Sequence, residues 1–249
     1  MTFSDQVISK LLTAQRVAVL TGAGISAESG VPTFRGKDGL WGRFKAEELA
    51  NPDAFLRNPQ LVWEWYEFRR KIIRNVRPNP AHLTLVEMEK HFPHFSLCTQ
   101  NVDNLHFKAG NRNICELHGN ILRNKCSGCG KKYGDLELLP GCSVPRCHCG
   151  DLIRPDVVWF GEMLPMEALE LASYEAEHAD VLLSIGTSAV VYPAAMLPVQ
   201  AKRSGAFVIE INLERTAISH QVDASLQGKS GEILPALWSA VLAKKEARV

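Results

Sequence analysis

Missing from this sequence is any apolar run approaching the roughly 20 residues that a membrane helix needs. Missing too is an excess of charge: 28 basic against 27 acidic residues leave +1, so bulk charge points to neither a nucleic-acid nor a membrane partner. The stretch Met1–Lys10 lacks the basic start, long apolar segment and small-residue cleavage site of a secretory signal. A cytoplasmic protein is therefore expected. There is no internal repeat and no low-complexity tract. What remains is an ordinary globular composition, 46% hydrophobic and 22% charged, able to bury a sizeable core. The length allows one large domain, or one domain plus a small insertion. Seven cysteines then need an explanation other than disulfides, because the cytoplasm keeps thiols reduced.

Short apolar, β-branched runs at Arg16–Thr21, Phe95–Thr99, Val181–Ile185 and Phe207–Ile211 read as buried strands. Helical spacing predicts helices over Leu61–Ile73, His82–His91, Met166–His178, Pro193–Ser204 and Ile233–Lys244. Strands alternating with helices predict a parallel sheet covered on both faces. The segment from about Ile121 to Arg154 breaks that rhythm, being rich in Cys, Gly, Pro and Lys and poor in apolar runs. The expected architecture is α/β: a Rossmann-like doubly wound parallel sheet, residues 1–120 and 155–249, with a small zinc-binding insertion at 121–154.

Directly after the first strand comes Gly22-Ala23-Gly24-Ile25-Ser26-Ala27, a match to G-x-G-x-x-G/A. Gly22 would permit the tight turn, Gly24 would let a phosphate approach the backbone, and Ala27 would keep the next helix close to the sheet. Free N–H groups and the dipole at that helix N-terminus would hold a pyrophosphate. One part of the usual fingerprint is absent: no acidic residue ends a second strand roughly 20 residues downstream to grip a ribose. In its place stands Gly30-Val31-Pro32-Thr33-Phe34-Arg35, with an aromatic and a fixed cation. NAD, if bound, is not held in the ordinary dehydrogenase manner.

Cys126-Ser-Gly-Cys129 and Cys147-His-Cys149 form two close pairs that can place four thiolates around one zinc ion. The second pair has one intervening residue instead of two, which keeps Cys142 and His148 open as stand-ins. A core-poor segment needs such a staple. Four cysteine ligands close the shell, so the metal is expected to be structural. Cys98 and Cys115 lie in apolar runs and read as core residues.

The remaining polar clusters sit at strand ends: Thr99-Gln100-Asn101-Val102-Asp103, Glu116-Leu117-His118-Gly119 and Gly186-Thr187-Ser188. Together with GAGIS, PTFR, the cysteine pairs and Val157-Val158-Trp159-Phe160-Gly161-Glu162, their order resembles the sirtuin family from about Val17 to about Leu234. The resemblance implies an NAD-dependent protein-lysine deacylase acting on an acyl-lysine protein or peptide. In that chemistry the acyl oxygen attacks the anomeric carbon of the nicotinamide ribose and nicotinamide leaves. A histidine takes a proton from a ribose hydroxyl, and the acyl group ends on ADP-ribose as the 2'-O-acyl product.

The same resemblance assigns residues. Gly22, Ala23, Gly24, Ser26, Glu28, Phe34, Arg35 and Trp41 would surround the pyrophosphate and nicotinamide half of NAD. Gln100, Asn101, Val102 and Asp103 would line the nicotinamide and ribose pocket, with Asn101 and Asp103 catalytic beside His118, the general base. Gly186, Thr187 and Ser188 would contact phosphate and adenosine ribose. Asn212, Leu213 and Glu214, after the last core strand, would take that ribose in place of the missing acid, and Gly228 and Ser230 would lie near the adenine. Val158, Trp159, Phe160, Gly161 and Glu162 would form the edge onto which the peptide adds as a strand. A helical part of the small domain is expected from about 36–75. His82, His91, His94, His106, His178 and His220 read as structural or surface residues. The sequence does not fix the oligomeric state, and a monomer is compatible with it.

One further pair is informative. Tyr66 and Arg69 lie three apart, hence on one helical face, and can converge on a carboxylate. An acetyl group offers no such partner, whereas a succinyl or malonyl group does. Members with a matching Tyr and Arg are similar to the branch that removes acidic acyl groups, with deacetylation persisting as a second activity. Rival readings are an ordinary NAD dehydrogenase, a mono-ADP-ribosyltransferase and a non-catalytic zinc-stapled binding protein. The missing acidic ribose partner and the cysteine module count against the first. The third leaves His118 and the Gln100–Asp103 cluster unexplained.

Overall fold

The computed structural model describes residues 2–32, 46–137 and 142–247. Phe34, Arg35 and Trp41 lie outside the described residues. In chain order the elements are α1 (Asp5–Thr13), β1 (Arg16–Thr21), α2 (Gly24–Ala27), α3 (Ala46–Leu49), α4 (Pro52–Arg57), α5 (Pro59–Asn75) and α6 (Pro80–His91). Then follow β2 (His94–Thr99), α7 (Leu105–Ala109), β3 (Ile114–Glu116), β4 (Gly119–Cys126), β5 (Lys132–Tyr133) and β6 (Ile153–Val157). The chain closes with α8 (Met166–His178), β7 (Val181–Ile185), a 3-10 turn at Ala194–Met196, α9 (Leu197–Arg203), β8 (Phe207–Asn212), β9 (Ala224–Gln227) and α10 (Ser230–Glu246).

Three of the helices begin at an Asn-Pro pair, a signal the periodicity reading passed over. Asn51, Asn58 and Asn79 each accept a bond from a free N–H of the first turn, and the following proline takes the first helical position. This explains why α4, α5 and α6 start where they do.

The main sheet has six parallel strands in the order β3-β2-β1-β7-β8-β9. Alternate residues of each strand turn to opposite faces. Val17, Val19, Leu97, Leu183 and Ile209 join a core with Leu11 of α1, Leu85 of α6 and Leu237 of α10. Ala18, Leu20, Leu182 and Val208 pack instead with Ala172 and Ala176 of α8 and with Leu197 and Ala201 of α9. Helices thus cover both faces, which is why these strands are apolar throughout and not alternating. The edge strand β9 was not foreseen, so Asn212 ends the penultimate strand and not the last. Its mixed sequence Ala-Ser-Leu-Gln, only partly buried, hides it from a hydrophobicity reading.

The strand order reverses between β1 and β7, and open α/β sheets leave a crevice at such a point, beyond the carboxyl ends of the strands. Beside it lies a second, antiparallel sheet, β5-β4-β6. It runs from Gly119 to Val157 and overruns both ends of the stretch 121–154. Its core is shared with α4 and α5 through Phe55, Trp63, Trp65, Tyr66, Ile121, Ile153 and Trp159. Arg70 of α5 is fully buried and ties the helix to β4, donating to the Ile121 carbonyl (2.6 Å) and to Asn124 Oδ1 (2.6 Å). Among the described residues no helix is long and apolar enough to cross a membrane.

Candidate active site and cysteine cluster

The turns that leave β1 and β7 meet in the crevice. Gly22 N–H donates to the Ile185 carbonyl (3.0 Å) and Gly24 N–H to the Gly186 carbonyl (2.8 Å). A Cβ on Gly24 would stand 2.7 Å from Gly186 Cα, and one on Gly186, whose φ is +62°, would stand 2.3 Å from Ile25 N. The glycines thus also let two backbone turns interlock, and two of the loop's N–H groups are spent on that contact. The helix expected to point its dipole at a phosphate is a single turn, Gly24–Ala27, with little dipole to offer.

A cavity of about 680 Å³ opens over these turns. Its walls include Gly22, Ala23 and Gly24 after β1, Gln100, Asn101 and Val102 after β2, His118 after β3, Gly186, Thr187 and Ser188 after β7, and Asn212, Leu213 and Glu214 after β8. Ser26, Glu28, Asp103, Gly228 and Ser230 do not line it. Ser26 and Asp103 are buried behind the wall. The Glu28 carboxylate accepts from Gly231 N–H (2.8 Å) and Ser230 Oγ (3.2 Å) at the start of α10, so it closes a helix end instead of facing the cavity. Gly228 N–H donates to the Asn212 carbonyl (2.9 Å), which fixes where β8 ends.

His118 sets the chemical character of the cavity. Its Nδ1 lies 2.8 Å from the Gln100 carbonyl oxygen. A carbonyl can only accept, so Nδ1 carries the hydrogen and Nε2 keeps its lone pair. Burial holds the ring's pKa below the ordinary 6.5, against the opposing effect of that same hydrogen bond. The ring is a neutral base at pH 7. Asn101 is held by its side-chain N–H bonds to the Gly22 carbonyl (3.1 Å) and Ser26 Oγ (3.2 Å). Gln100 Nε2 donates to Thr187 Oγ1 (2.9 Å), and Asn212 Nδ2 to the Thr187 carbonyl (3.1 Å), so polar side chains from three strand ends are mutually braced. Asp103 accepts from Leu105 N–H (2.9 Å), and its burial raises its pKa. His82 and His106 are buried core residues, with the His82 pKa lowered to about 4 by desolvation.

At the other end of the cavity α5 presents Tyr66 and Arg69. Trp159 Nε1 donates to the Tyr66 hydroxyl at 2.8 Å. Indole is a donor only, so Tyr66 accepts there and its own proton stays available for the cavity. Arg69 lies over the rings of Trp65 (4.8 Å) and Tyr66 (5.9 Å). Burial pulls its pKa down from 12.5, with Tyr66 and Asp103 opposing.

Val158, Trp159, Phe160, Gly161 and Glu162 all line the cavity, where they follow β6 as an irregular turn. Three of its N–H groups are paired internally. Val158 N–H goes to the His118 carbonyl (2.9 Å), Trp159 N–H to Glu162 Oε2 (2.9 Å), and Phe160 N–H to the Ala50 carbonyl (2.9 Å). Glu162 is in turn clamped by Arg154 at 2.5 and 2.9 Å.

In the small sheet the Sγ atoms of Cys126, Cys129, Cys147 and Cys149 all lie within 4.8 Å of one another. Two of the separations are 3.5 Å (Cys126–Cys149) and 3.6 Å (Cys129–Cys147). A tetrahedron with zinc–sulfur bonds of about 2.3 Å has edges of about 3.8 Å, so the four thiols fit one zinc ion. Cys142 and His148 are not members of the group. His148 Nδ1 stands 3.2 Å from Cys147 Sγ, and the Tyr133 hydroxyl donates to the same sulfur at 3.0 Å, as outer partners that orient it. Cys98 and Cys115 are buried, paired across β2 and β3 in the core.

The sequence reading missed Ala50, Val157, Leu164, Val191, Arg215, Thr216 and Ala217 in the cavity wall. Arg215–Ala217 simply continue the Asn212–Glu214 stretch and could have been reached by extending it. Ala50 and Leu164 carry no local chemical signal.

A model of the Sir2 family matches residues 22–193. A protein of Pyrococcus furiosus named NAD-dependent protein deacylase is 53% identical over 237 residues, covering 92% of this chain and 95% of its own. The solved structure of a Sir2 homolog–NAD complex superposes with a TM-score of 0.92 at 45% identity, covering 98% of this chain and 95% of the other. A structure of Sir2 bound to acetylated peptide has a TM-score of 0.86 at 31% identity, covering 96% and 98%. With the glycine turns, the cavity histidine and the four-cysteine cluster in one chain of this fold, the protein belongs to the Sir2 family.

Proposed function

We propose that this chain removes acyl groups from protein lysines with NAD as co-substrate, releasing nicotinamide, a 2'-O-acyl-ADP-ribose and the free lysine. The observation that carries the reading is His118 in the cavity wall with Nδ1–H committed to Gln100 and Nε2 left as a base. The relative named NAD-dependent protein deacylase and the Sir2 complexes with NAD and with acetylated peptide support it. NAD, when bound, supplies an anomeric carbon open to the acyl oxygen, with nicotinamide as leaving group. The residues of this chain do the rest. Gln100, Thr187 and Asn212 brace the cofactor's sugars, and the interlocked Gly22–Gly24 turn gives its phosphates a close backbone floor. Asn101, locked through Ser26, holds the nicotinamide end, Asp103 braces the turn from behind the wall through Leu105 N–H, and His118 Nε2 accepts the ribose hydroxyl proton. The acyl-lysine peptide lies against Val158–Glu162, where few main-chain donors remain, so carbonyls carry much of its pairing. Zinc on Cys126, Cys129, Cys147 and Cys149 holds the small sheet, and its filled shell leaves no place for water chemistry.

The acyl preference is for acidic groups, succinyl and malonyl, alongside acetyl. Its support is the Tyr66 hydroxyl, which accepts from Trp159 and donates to no other described residue, beside the Arg69 guanidinium in the cavity wall. The test follows nicotinamide release with succinyl-lysine and acetyl-lysine peptides. Arg69→Met is expected to lose the succinyl activity on the order of a hundredfold, the effect of about 3 kcal/mol from a lost charged contact, and to keep the acetyl activity. Equal loss of both would mean that Arg69 is structural. His118→Ala should abolish turnover of both peptides. In wild type the acid limb should have its midpoint below 6.5, because the base is lost only when pH falls through its lowered pKa. ADP-ribose found on a protein, with no acyl-ADP-ribose, would replace deacylation by ADP-ribosyl transfer.

A further inference from the structure

Glu210 has no part in the site described above. It stands in β8 between Ile209 and Ile211 and is only 2% exposed, a place where a carboxylate lacking partners would be costly. Its partners are three hydroxyls. Ser225, opposite it on β9, donates to Oε2 at 2.7 Å, Ser219 donates to the same oxygen at 2.5 Å, and Thr216 donates to Oε1. Thr216 and Ser219 belong to one loop and also bind each other: Thr216 N–H donates to Ser219 Oγ (2.8 Å), and Ile218 N–H to Thr216 Oγ1 (3.3 Å). Each loop hydroxyl therefore accepts from the loop and donates to Glu210. The other side of that loop, Leu213–Ala217, follows Asn212 along the cavity wall.

The place of this loop in the sheet says which part of a ligand it meets. Strand ends cross the cavity in the order β3 with His118, β2 with Gln100, β1 with Gly22, β7 with Gly186 and β8 with Asn212. With His118 at the reacting end, the loop after β8 stands at the far end of an extended dinucleotide.

We propose that Glu210 is a positioning residue for the cofactor: its buried carboxylate pins Leu213–Ala217 to the end of β8 and so sets the affinity for the adenosine half of NAD without touching it. This rests on the deacylase reading, and the test keeps the two separable. Wild type, Glu210→Ala, Glu210→Gln and Ser219→Ala are compared for KM of NAD, KM of peptide, kcat, melting temperature and ADP-ribose binding by calorimetry. Glu210→Ala is expected to raise the NAD KM and the ADP-ribose Kd on the order of tenfold, as loss of bonds to a charged acceptor should. The peptide KM and the kcat at saturating NAD should stay within about twofold, the split expected when only cofactor binding is lost. Glu210→Gln keeps one acceptor oxygen and should fall between the two. Ser219→Ala cuts the same link from the loop side, leaves Glu210 in place, and should show a smaller rise of the same kind if Glu210→Ala does not fold. An unchanged NAD KM, or a fall in kcat together with a rise in both KM values, would overturn the proposal. A wild type that releases no nicotinamide would sink the deacylase reading, and the ADP-ribose affinities would still decide the role of Glu210.

Discussion

The six-stranded sheet and the small antiparallel sheet reach order by different means. In the first, strands such as β7 and β8 bury both faces in aliphatic cores between two helix layers. In the second, β5 has two residues, β4 mixes Asn, Arg and Lys among its apolar positions, and order comes from four thiols, a cluster of Trp and Phe, and the buried arginines Arg70 and Arg154. A region with little surface to remove from water must use directional bonds, and these fail one at a time. The cavity lies between the two regions, taking His118 and Asn212 from ends of the first and Tyr66, Arg69 and Trp159 from the second.

The largest break in that comparison should come from the metal. Structural zinc in a cysteine shell contributes on the order of 10 kcal/mol of apparent folding free energy. Chelation, or Cys147→Ser, is expected to release one zinc per chain and to unfold the small sheet, leaving the parallel-sheet region and its helices folded, with a cooperative melt by far-UV circular dichroism. Loss of zinc with unchanged melting would show that aromatic packing alone suffices.

Next in size is a contrast between two neighbours on α5. Arg70→Met strands the Ile121 carbonyl, Asn124 and Glu67 and should cost about 3–5 kcal/mol in urea unfolding. Arg69→Met, stacked on Trp65 at the cavity wall, should cost much less stability while altering acyl choice. Similar costs for the two would erase the distinction between the anchoring and the reading arginine.

A smaller effect belongs to the parallel-sheet region. His82 is buried with its pKa lowered from 6.5 to about 4. The unfolded chain then binds a proton that the folded chain refuses, so stability contributed by this group is full above 6.5 and falls as pH drops from 6.5 toward 4. The total is roughly 3 kcal/mol for such a shift. The pH dependence of urea stability in wild type minus that in His82→Gln measures it, since acid loss of zinc is common to both. Parallel curves for the two proteins would discard this cause.

How much was legible follows the same division. β1 and β7 were read to the residue, because a fully buried parallel strand must be apolar along its whole length. The helices α5, α6 and α8 were found by their spacing, though the Asn-Pro starts of the first two were overlooked. α1 and β9 were missed: the first is a short amphipathic turn pair, the second a half-buried edge. At the site, His118, Gln100 and Asn101 were found as polar clusters at strand ends, and most of the assigned residues do share one cavity. Glu28, Ser230 and Gly228 were drawn off by helix-end and strand-end bonding that no local pattern announces.

What the sequence by itself determined is whatever depends on neighbours along the chain: the buried strands, the helical faces, the cysteine pairs, and the placement of Tyr66 and Arg69 on one face. Only the tertiary structure decided what depends on residues meeting from afar. It seated Gly24 against Gly186, and it used the Trp159 and Phe160 N–H groups internally. It also gave His118 its tautomer and Glu210 its three hydroxyls. The physical reason is that hydrogen bonds and steric contacts act over about 3 Å, a distance that folding sets and sequence separation does not.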